Sequence, residues 1–294
     1  MANKLPVLFL SHGGGPCFFM DGEDLPVFGE LDKHSRGAEF LRSIGRTYGK
    51  DVKTILVISA HWEASTFEVS YQRGEPTPLI YDYYGFPAET YSPHLVYSVG
   101  TDLKVADRVC ELLAASNLTC RKTDRGFDHG VFIPLKLAFP EANVPVVQLS
   151  LKSDLDIATH VKLGEVLSPL RREGVLIIGS GQATHNLREF GQSSGPALPW
   201  ATEFTEWLRR TLEDVARKDF AASKKALLNI MNEAPHAVRC HPRIEHLLPL
   251  HVAFGAASPL APAGSGAGSN KLVVERIYSQ IVIGSMSLDA YAFH

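Results

Sequence analysis

The sequence predicts an α/β fold, a single domain with a mostly parallel central sheet flanked by helices and an antiparallel addition at the C-terminus. Two observations carry this expectation. Short Val/Ile/Leu-rich runs recur along the chain and end in small or polar residues, and segments with apolar residues at spacings of three and four lie between them. Continuous apolar runs suit strands covered on both faces. Helical stripes between them supply the crossovers that parallel strands require.

The strands are expected at Pro6 to Leu10, Thr54 to Ser59, Val144 to Leu149 and Val175 to Ile178. Leu103, Ala106, Val109, Cys110 and Leu113 mark one helix; Phe204, Trp207, Leu208, Leu212 and Val215 mark another. Amphipathic stretches follow over Ala221 to Met231 and from Ile244 to Phe254, the latter interrupted by Pro249. The Gly/Ala/Ser/Pro-rich run Pro259 to Asn270 reads as a flexible loop too near the C-terminus to divide two domains. Leu272 to Tyr278 and Gln280 to Met286 then read as two antiparallel β segments at the sheet edge. One domain over residues 1–294 is expected.

Of 294 residues, 45% are hydrophobic and 21% charged, enough apolar side chain for a large core. With 29 Lys and Arg against 32 Asp and Glu, the net charge is -3, and no basic footprint for nucleic acid is present. No apolar stretch reaches the length of a membrane span. Cys17, Cys110, Cys120 and Cys240 form no C-x-x-C pair, which argues against a disulfide framework or thiolate zinc site and for a reducing, cytoplasmic setting.

Twelve histidines stand out beside four methionines and three tryptophans. In an open α/β sheet, ligands bind beyond the carboxyl ends of the strands. His12 and His61 directly follow predicted strands, and His185 comes shortly after a third. His129 sits in a glycine-bounded loop, Gly126-Phe127-Asp128-His129-Gly130, either as an oriented acid, base or ligand or as an exposed residue of a turn that Asp128 caps. His12-Gly13-Gly14-Gly15 together with Gly191-Gln192-Ser193-Ser194-Gly195 imitates a serine hydrolase. No apolar strand leads into Ser193, however, and Pro196 and Pro199 oppose the helix that must follow, so that reading is set aside.

Ser11-His12-Gly13, Ser59-Ala60-His61-Trp62, Gly126-Phe127-Asp128-His129-Gly130, Thr184-His185-Asn186-Leu187-Arg188 and Glu245-His246-Leu247-Leu248-Pro249-Leu250 resemble, in order, the motifs of class III extradiol ring-cleaving dioxygenases of the DOPA 4,5-dioxygenase type, related to the protocatechuate 4,5-dioxygenase catalytic subunit. Ile80-Tyr81-Asp82-Tyr83-Tyr84-Gly85-Phe86-Pro87 is similar to the same branch. The resemblance implies that His12, His61 and His246 hold one divalent metal ion, Fe(II) for activity, with Zn(II) also compatible with an all-histidine site. It further implies that His185 is the acid/base histidine and that His129 steadies substrate or oxygen, both touching the substrate. The expected partners are a DOPA-like catechol and molecular oxygen, with no nucleic acid and no membrane, in a monomer or homodimer. The expected product is a semialdehyde acid from ring opening beside the diol.

One departure is Tyr91-Ser92-Pro93-His94-Leu95, where the DOPA-type branch carries Tyr-Pro-Ala-Pro-Gly near the substrate entrance. It bears on which catechol is used. The rival readings are a zinc hydrolase on the same three histidines and a metal-binding protein without turnover. Trp62 and Phe127 are expected at the aromatic substrate or in the core, and His241 as a support behind the ligands. His34, His94, His160, His236, His251 and His294 are expected at the surface.

Overall fold

Every residue of β1 (Val7–Ser11) is buried, with Val7 and Phe9 in one apolar core and Leu8 and Leu10 in another. A strand apolar on both sides belongs inside a sheet covered on both faces, and the computed structural model, which describes residues 4–25, 27–189, 196–258 and 272–294, places it there. The remaining strands are β2 (Thr54–Ala64), β3 (Phe67–Ser70), β4 (Cys120–Thr123), β5 (Val146–Lys152), β6 (Val175–Gly181), β7 (Val274–Tyr278), β8 (Ile281–Val282), β9 (Met286–Ser287) and β10 (Ala290–Phe293). The main sheet runs β4-β3-β5-β2-β6-β1-β10-β7. Its centre, β5-β2-β6-β1, is parallel throughout.

The edges depart from that pattern. β10 pairs antiparallel with β1 and β7, which confirms an antiparallel C-terminal addition. Its second strand is Ala290–Phe293 rather than the expected Gln280 to Met286, because the latter folds back on itself as the small hairpin of β8 and β9. At the opposite edge β3 joins β5 antiparallel and carries β4, a pair that no Val/Ile/Leu run announced.

In chain order the helices are α1 (Arg36–Tyr48), α2 (Leu103–Ala115), α3 (His129–Ala138), α4 (Ile157–Leu167), α5 (Pro199–Arg209), α6 (Ala216–Lys218), α7 (Phe220–Leu228), α8 (Ile230–Glu233), α9 (Ala237–Cys240) and α10 (Leu248–Ala257); a π-helical stretch Arg210–Val215 runs on from α5. Side chains of Ser35, Asp102, Asp156 and Asp219 accept N–H groups of the first turns of α1, α2, α4 and α7, which fixes where those helices start. α1 and α3 cover one face of the sheet; α2, α4, α5 and α10 cover the other. Pro249 opens α10 rather than interrupting a helix, since its missing N–H costs nothing in the first turn. The expected helix over Ala221 to Met231 breaks at Asn229 into α7 and α8. Arg171 is fully buried and donates to the carbonyls of Leu5, Ala256 and Phe293, joining β1, α10 and β10.

Cys110 and Cys120 form a disulfide between the last turns of α2 and the start of β4, correcting the expectation of unpaired cysteines. Their ten-residue separation reverses the chain direction and brings the two Cα atoms within 5.2 Å. Cys17 and Cys240 are buried thiols. No helix among the described residues is long and apolar enough to cross a membrane. The run 191–195 and the loop expected over Pro259 to Asn270 lie outside the described residues.

Candidate metal centre and substrate cavity

His12 follows β1, and its N–H donates to Gly181 O at 3.0 Å, so the chain continues the sheet as it leaves the strand. His61 does not follow its strand, as expected, but lies within β2. The pairing of β2 with β5 shifts register between Ile58 and Glu63, and His61 sits in the irregular segment that re-aims side chains. His129 opens α3, behind Asp128 at the N-cap position. His185 lies just beyond β6, its N–H bonded to Cys240 O at 2.9 Å. His246 precedes α10, and its carbonyl accepts from Gln182 N at 2.9 Å. A Cβ on Gly181 would stand 2.1 Å from that same carbonyl, so glycine is what lets the His246 segment lie on β6.

The five histidines converge on one place. His61 Nε2 lies 3.1 Å from His12 Nε2 and 3.2 Å from His246 Nε2. The His129 ring centroid is 3.9 Å from that of His61, and the His185 ring stacks on His246 with centroids 3.5 Å apart. Ligand atoms of His12, His61 and His129 lie within 4.8 Å of one another, as do those of His185, Glu245 and His246.

The opposite ring nitrogens show which tautomers are present. Ser180 Oγ gives its proton to Gly130 O at 2.5 Å, so at 3.0 Å it accepts from His12 Nδ1–H. His61 Nδ1 faces Asp82 Oδ2 at 3.5 Å, and His246 Nδ1 donates to Glu245 Oε1 at 2.9 Å. Each ring therefore keeps its proton on Nδ1 and turns a bare Nε2 inward. Burial, reinforced by the neighbouring histidines, holds the pKa of all three well below the ordinary value, so the rings are neutral. The His61 Nε2 lone pair faces those of His12 and His246 at 3.1 and 3.2 Å, contacts that repel unless a cation lies between them. Two metal–nitrogen bonds of ~2.1 Å at near-tetrahedral or right angles separate their nitrogens by about 3.0–3.4 Å. The donor set fits a divalent ion.

Asp82 is a member of this site that its residue type and spacing did not reveal. Its Oδ1 accepts both the backbone N–H and Nδ1–H of His129, each at 2.9 Å, while Oδ2 faces His61. Burial pushes its carboxyl upward, but the side-chain and backbone hydrogen bonds from His129 prevail and hold it at about 2. Asp128, expected as a helix cap or turn residue, makes no side-chain cap bond; its buried carboxylate instead accepts from Ser59 Oγ at 2.7 Å and from Gln148 Nε2. His129 is buried, so the exposed-turn alternative falls. Burial, then the nearby His129, lowers His185 to about 4, so its ring is neutral near pH 7.

Of the other expectations, His241 is buried behind the site, bonded through Nε2 to Ala183 O at 2.9 Å. His160 and His251 are fully buried, not at the surface: Asp156 O and Lys152 N–H satisfy both ring nitrogens of His160, and His251 lies between the carbonyls of Leu247 and Leu227, to one of which a neutral ring donates. Trp62 carries the Arg125 guanidinium 4.7 Å from its ring centroid, and Phe127 is wholly in the core; neither lines the cavity.

That cavity, about 260 Å³, opens over the histidines. His12, His61, His129, His185 and His246 line it together with Gly13, Gly14, Gly15, Phe28, Tyr83, Phe86, Leu187 and Met286. A larger groove of about 680 Å³ beside α1 has neither histidine nor cysteine in its lining.

Fold and site together define an α/β metalloprotein with a histidine-lined cavity at the carboxyl ends of its parallel strands. Residues 7–277 match the catalytic LigB subunit of aromatic ring-opening dioxygenase, and the chain belongs to that family. It is 39% identical over 266 residues to a 4,5-DOPA dioxygenase extradiol of Beta vulgaris, covering 90% of this chain and 91% of the relative. A dioxygenase of Hapsidospora irregularis is 34% identical, covering 86% and 78%. The crystal structure of an uncharacterised Escherichia coli K12 protein superposes with a TM-score of 0.71 at 27% identity, covering 98% of this chain and 99% of that one. The protein is thus a ring-cleaving extradiol dioxygenase in class, with a cluster suited to one metal ion.

Proposed function

We propose that residues 1–294 form one catalytic domain that opens a catechol next to its diol, with His12, His61 and His246 holding one Fe(II). The carrying observation is the trio of inward Nε2 atoms, each set by an acceptor behind it: Ser180, Asp82 and Glu245. Ligands from three separate segments leave positions open for catechol and oxygen on the cavity side. When bound, Fe(II) supplies the Lewis acidity that makes catechol hydroxyls acidic and the electron density that dioxygen requires.

The chain's own residues do the rest. His185, neutral and lining the cavity, accepts a catechol hydroxyl proton; its Nδ1 faces Glu245 at 3.8 Å, which favours Nε2 as the accepting atom. The same proton returns as the ring opens. His129, fixed by Asp82 through both ring and backbone, presents its other edge to the substrate and to developing negative charge. Phe28, Tyr83 and Phe86 exclude water from the ring. Both atoms of O₂ enter the semialdehyde acid, so no outside reductant is consumed. A cytoplasmic setting accords with Fe(II), whereas the Cys110–Cys120 disulfide stands against a strongly reducing one.

An oxygen electrode with a catechol panel, after anaerobic loading with Fe(II), tests this reading. Oxygen uptake with a coloured ring-opened product supports it. Hydrolysis of an ester or amide by the zinc-loaded protein, with no oxygen uptake on any catechol, contradicts it.

A further inference from the structure

We infer that Asp128 is a positioning residue of the metal site, one that sets His61 by holding both backbone groups of that residue, the N–H through Ser59 and the carbonyl through Arg125. This rests on the reading of His61 as a ligand given above. Between Ile58 and Glu63, β2 takes five steps where its neighbour β5 takes two, from Leu149 to Leu151. His61 lies in the excess and has no rung on β5. Its backbone groups must therefore find partners outside that ladder.

Those partners are side chains. The N–H donates to Ser59 Oγ and the carbonyl accepts from Arg125 Nη2, each at 3.2 Å. Both side chains end on one carboxylate, since Ser59 Oγ donates to Asp128 Oδ1 at 2.7 Å and the same Arg125 Nη2 lies 3.4 Å from Asp128 Oδ2. Oδ2 also accepts from Gln148 Nε2 on β5, the strand that β2 leaves and rejoins. Asp128 is wholly buried, so bulk water does not compete for these bonds. The Arg125 guanidinium is further steadied by the ring of Trp62, 4.7 Å away. Glycine at position 130 makes room for the network, because a Cβ there would stand 2.6 Å from Ser59 Oγ. Asp128 does not line the cavity; it acts through the backbone of His61 and not on the substrate. Asp82 faces the His61 ring, whereas Asp128 fixes the point from which that ring extends. A displaced Cα carries its imidazole with it, and Nε2 atoms 3.1 and 3.2 Å apart tolerate little displacement before they cease to share one ion.

The test titrates the metal-free protein with Co(II), reading affinity by competition with a chromogenic chelator and coordination geometry from the visible spectrum. Asp128→Asn keeps the side-chain volume but supplies an acceptor on one side only, where donors approach both carboxylate oxygens. Arg125→Met, at a partly exposed side chain, removes the donor to the His61 carbonyl and carries the test should Asp128→Asn fail to fold. Each variant should bind Co(II) about 10–100-fold more weakly and show an altered visible spectrum. Gly164→Ala, remote in α4, controls for loss of stability alone: its urea midpoint should fall while Co(II) affinity and spectrum stay those of the parent. Parental affinity and spectrum in folded Asp128→Asn or Arg125→Met overturn the inference and leave the ring-opening reading standing. Parental Co(II) binding by His61→Ala overturns the ligand reading on which the inference rests.

Discussion

At the scale of single residues, the imidazoles divide by what stands behind them. His246→Ala should strip the metal, as should His12→Ala and His61→Ala, whereas His129→Ala should retain it; metal analysis after gel filtration distinguishes them. Full occupancy in His246→Ala would move the third ligand to Glu245, whose Oε1 is 2.9 Å from His246 Nδ1. Asp82→Asn should weaken metal binding about 10–100-fold, because an amide cannot replace the carboxylate that orients His61. His185→Ala should keep its iron and lose roughly 10²–10⁴ in turnover; loss of iron in that variant would make it a ligand. The positions of His12 and His185 were legible because a polar residue after an apolar run marks a strand's carboxyl end. Asp82 and Ser180 were not assigned roles, since residues that orient ligands follow no fixed spacing and are recognised only by what they touch. His160 and His251 were misplaced because backbone carbonyls and amides, invisible in sequence, satisfy a histidine as well as water does.

At the scale of elements, the parallel centre of the sheet was readable because β1, β2 and β6 open on apolar runs facing both sides, and β5 is buried on both although Gln148 and Ser150 interrupt one of its faces. The edges were not. β4 is Cys-Arg-Lys-Thr, with two exposed charged residues, and β10 is four residues long, so neither offers a distinctive run. His61 was expected beyond its strand because the pattern cannot show that β2 continues to Ala64 through an irregularity. Helix packing is equally specific. A Cβ on Gly164 in α4 would lie 2.1 Å from Val252 O in α10, so Gly164→Ala should cost about 1–3 kcal/mol by forcing the two helices apart. Urea unfolding monitored by circular dichroism measures this. An unchanged midpoint would show that the pair is not in tight contact.

At the scale of the whole molecule, a chain of near-neutral charge folds with its five cavity histidines, from His12 to His246, gathered at one end of one sheet. Neutral histidines buried throughout it make the fold sensitive to acid. Burial lowers His251 from 6.5 to about 4 and His241 to about 3. Between those values and 6.5 the unfolded chain binds protons that the folded chain refuses, so stability is complete above about pH 7 and falls as pH drops toward 4. His251→Gln, which cannot take up a proton, should remove on the order of 3 kcal/mol of that pH-dependent loss. An unaltered slope between pH 7 and 4 in metal-free protein would show that His251 is not held neutral. The most direct test of the central claim is stoichiometric: oxygen consumed per catechol opened, measured for the Fe(II)-loaded protein and for His246→Ala. One O₂ per ring, with no uptake in the variant, is the predicted result. Ring opening without oxygen uptake, or full uptake by a variant that binds no metal, would contradict it.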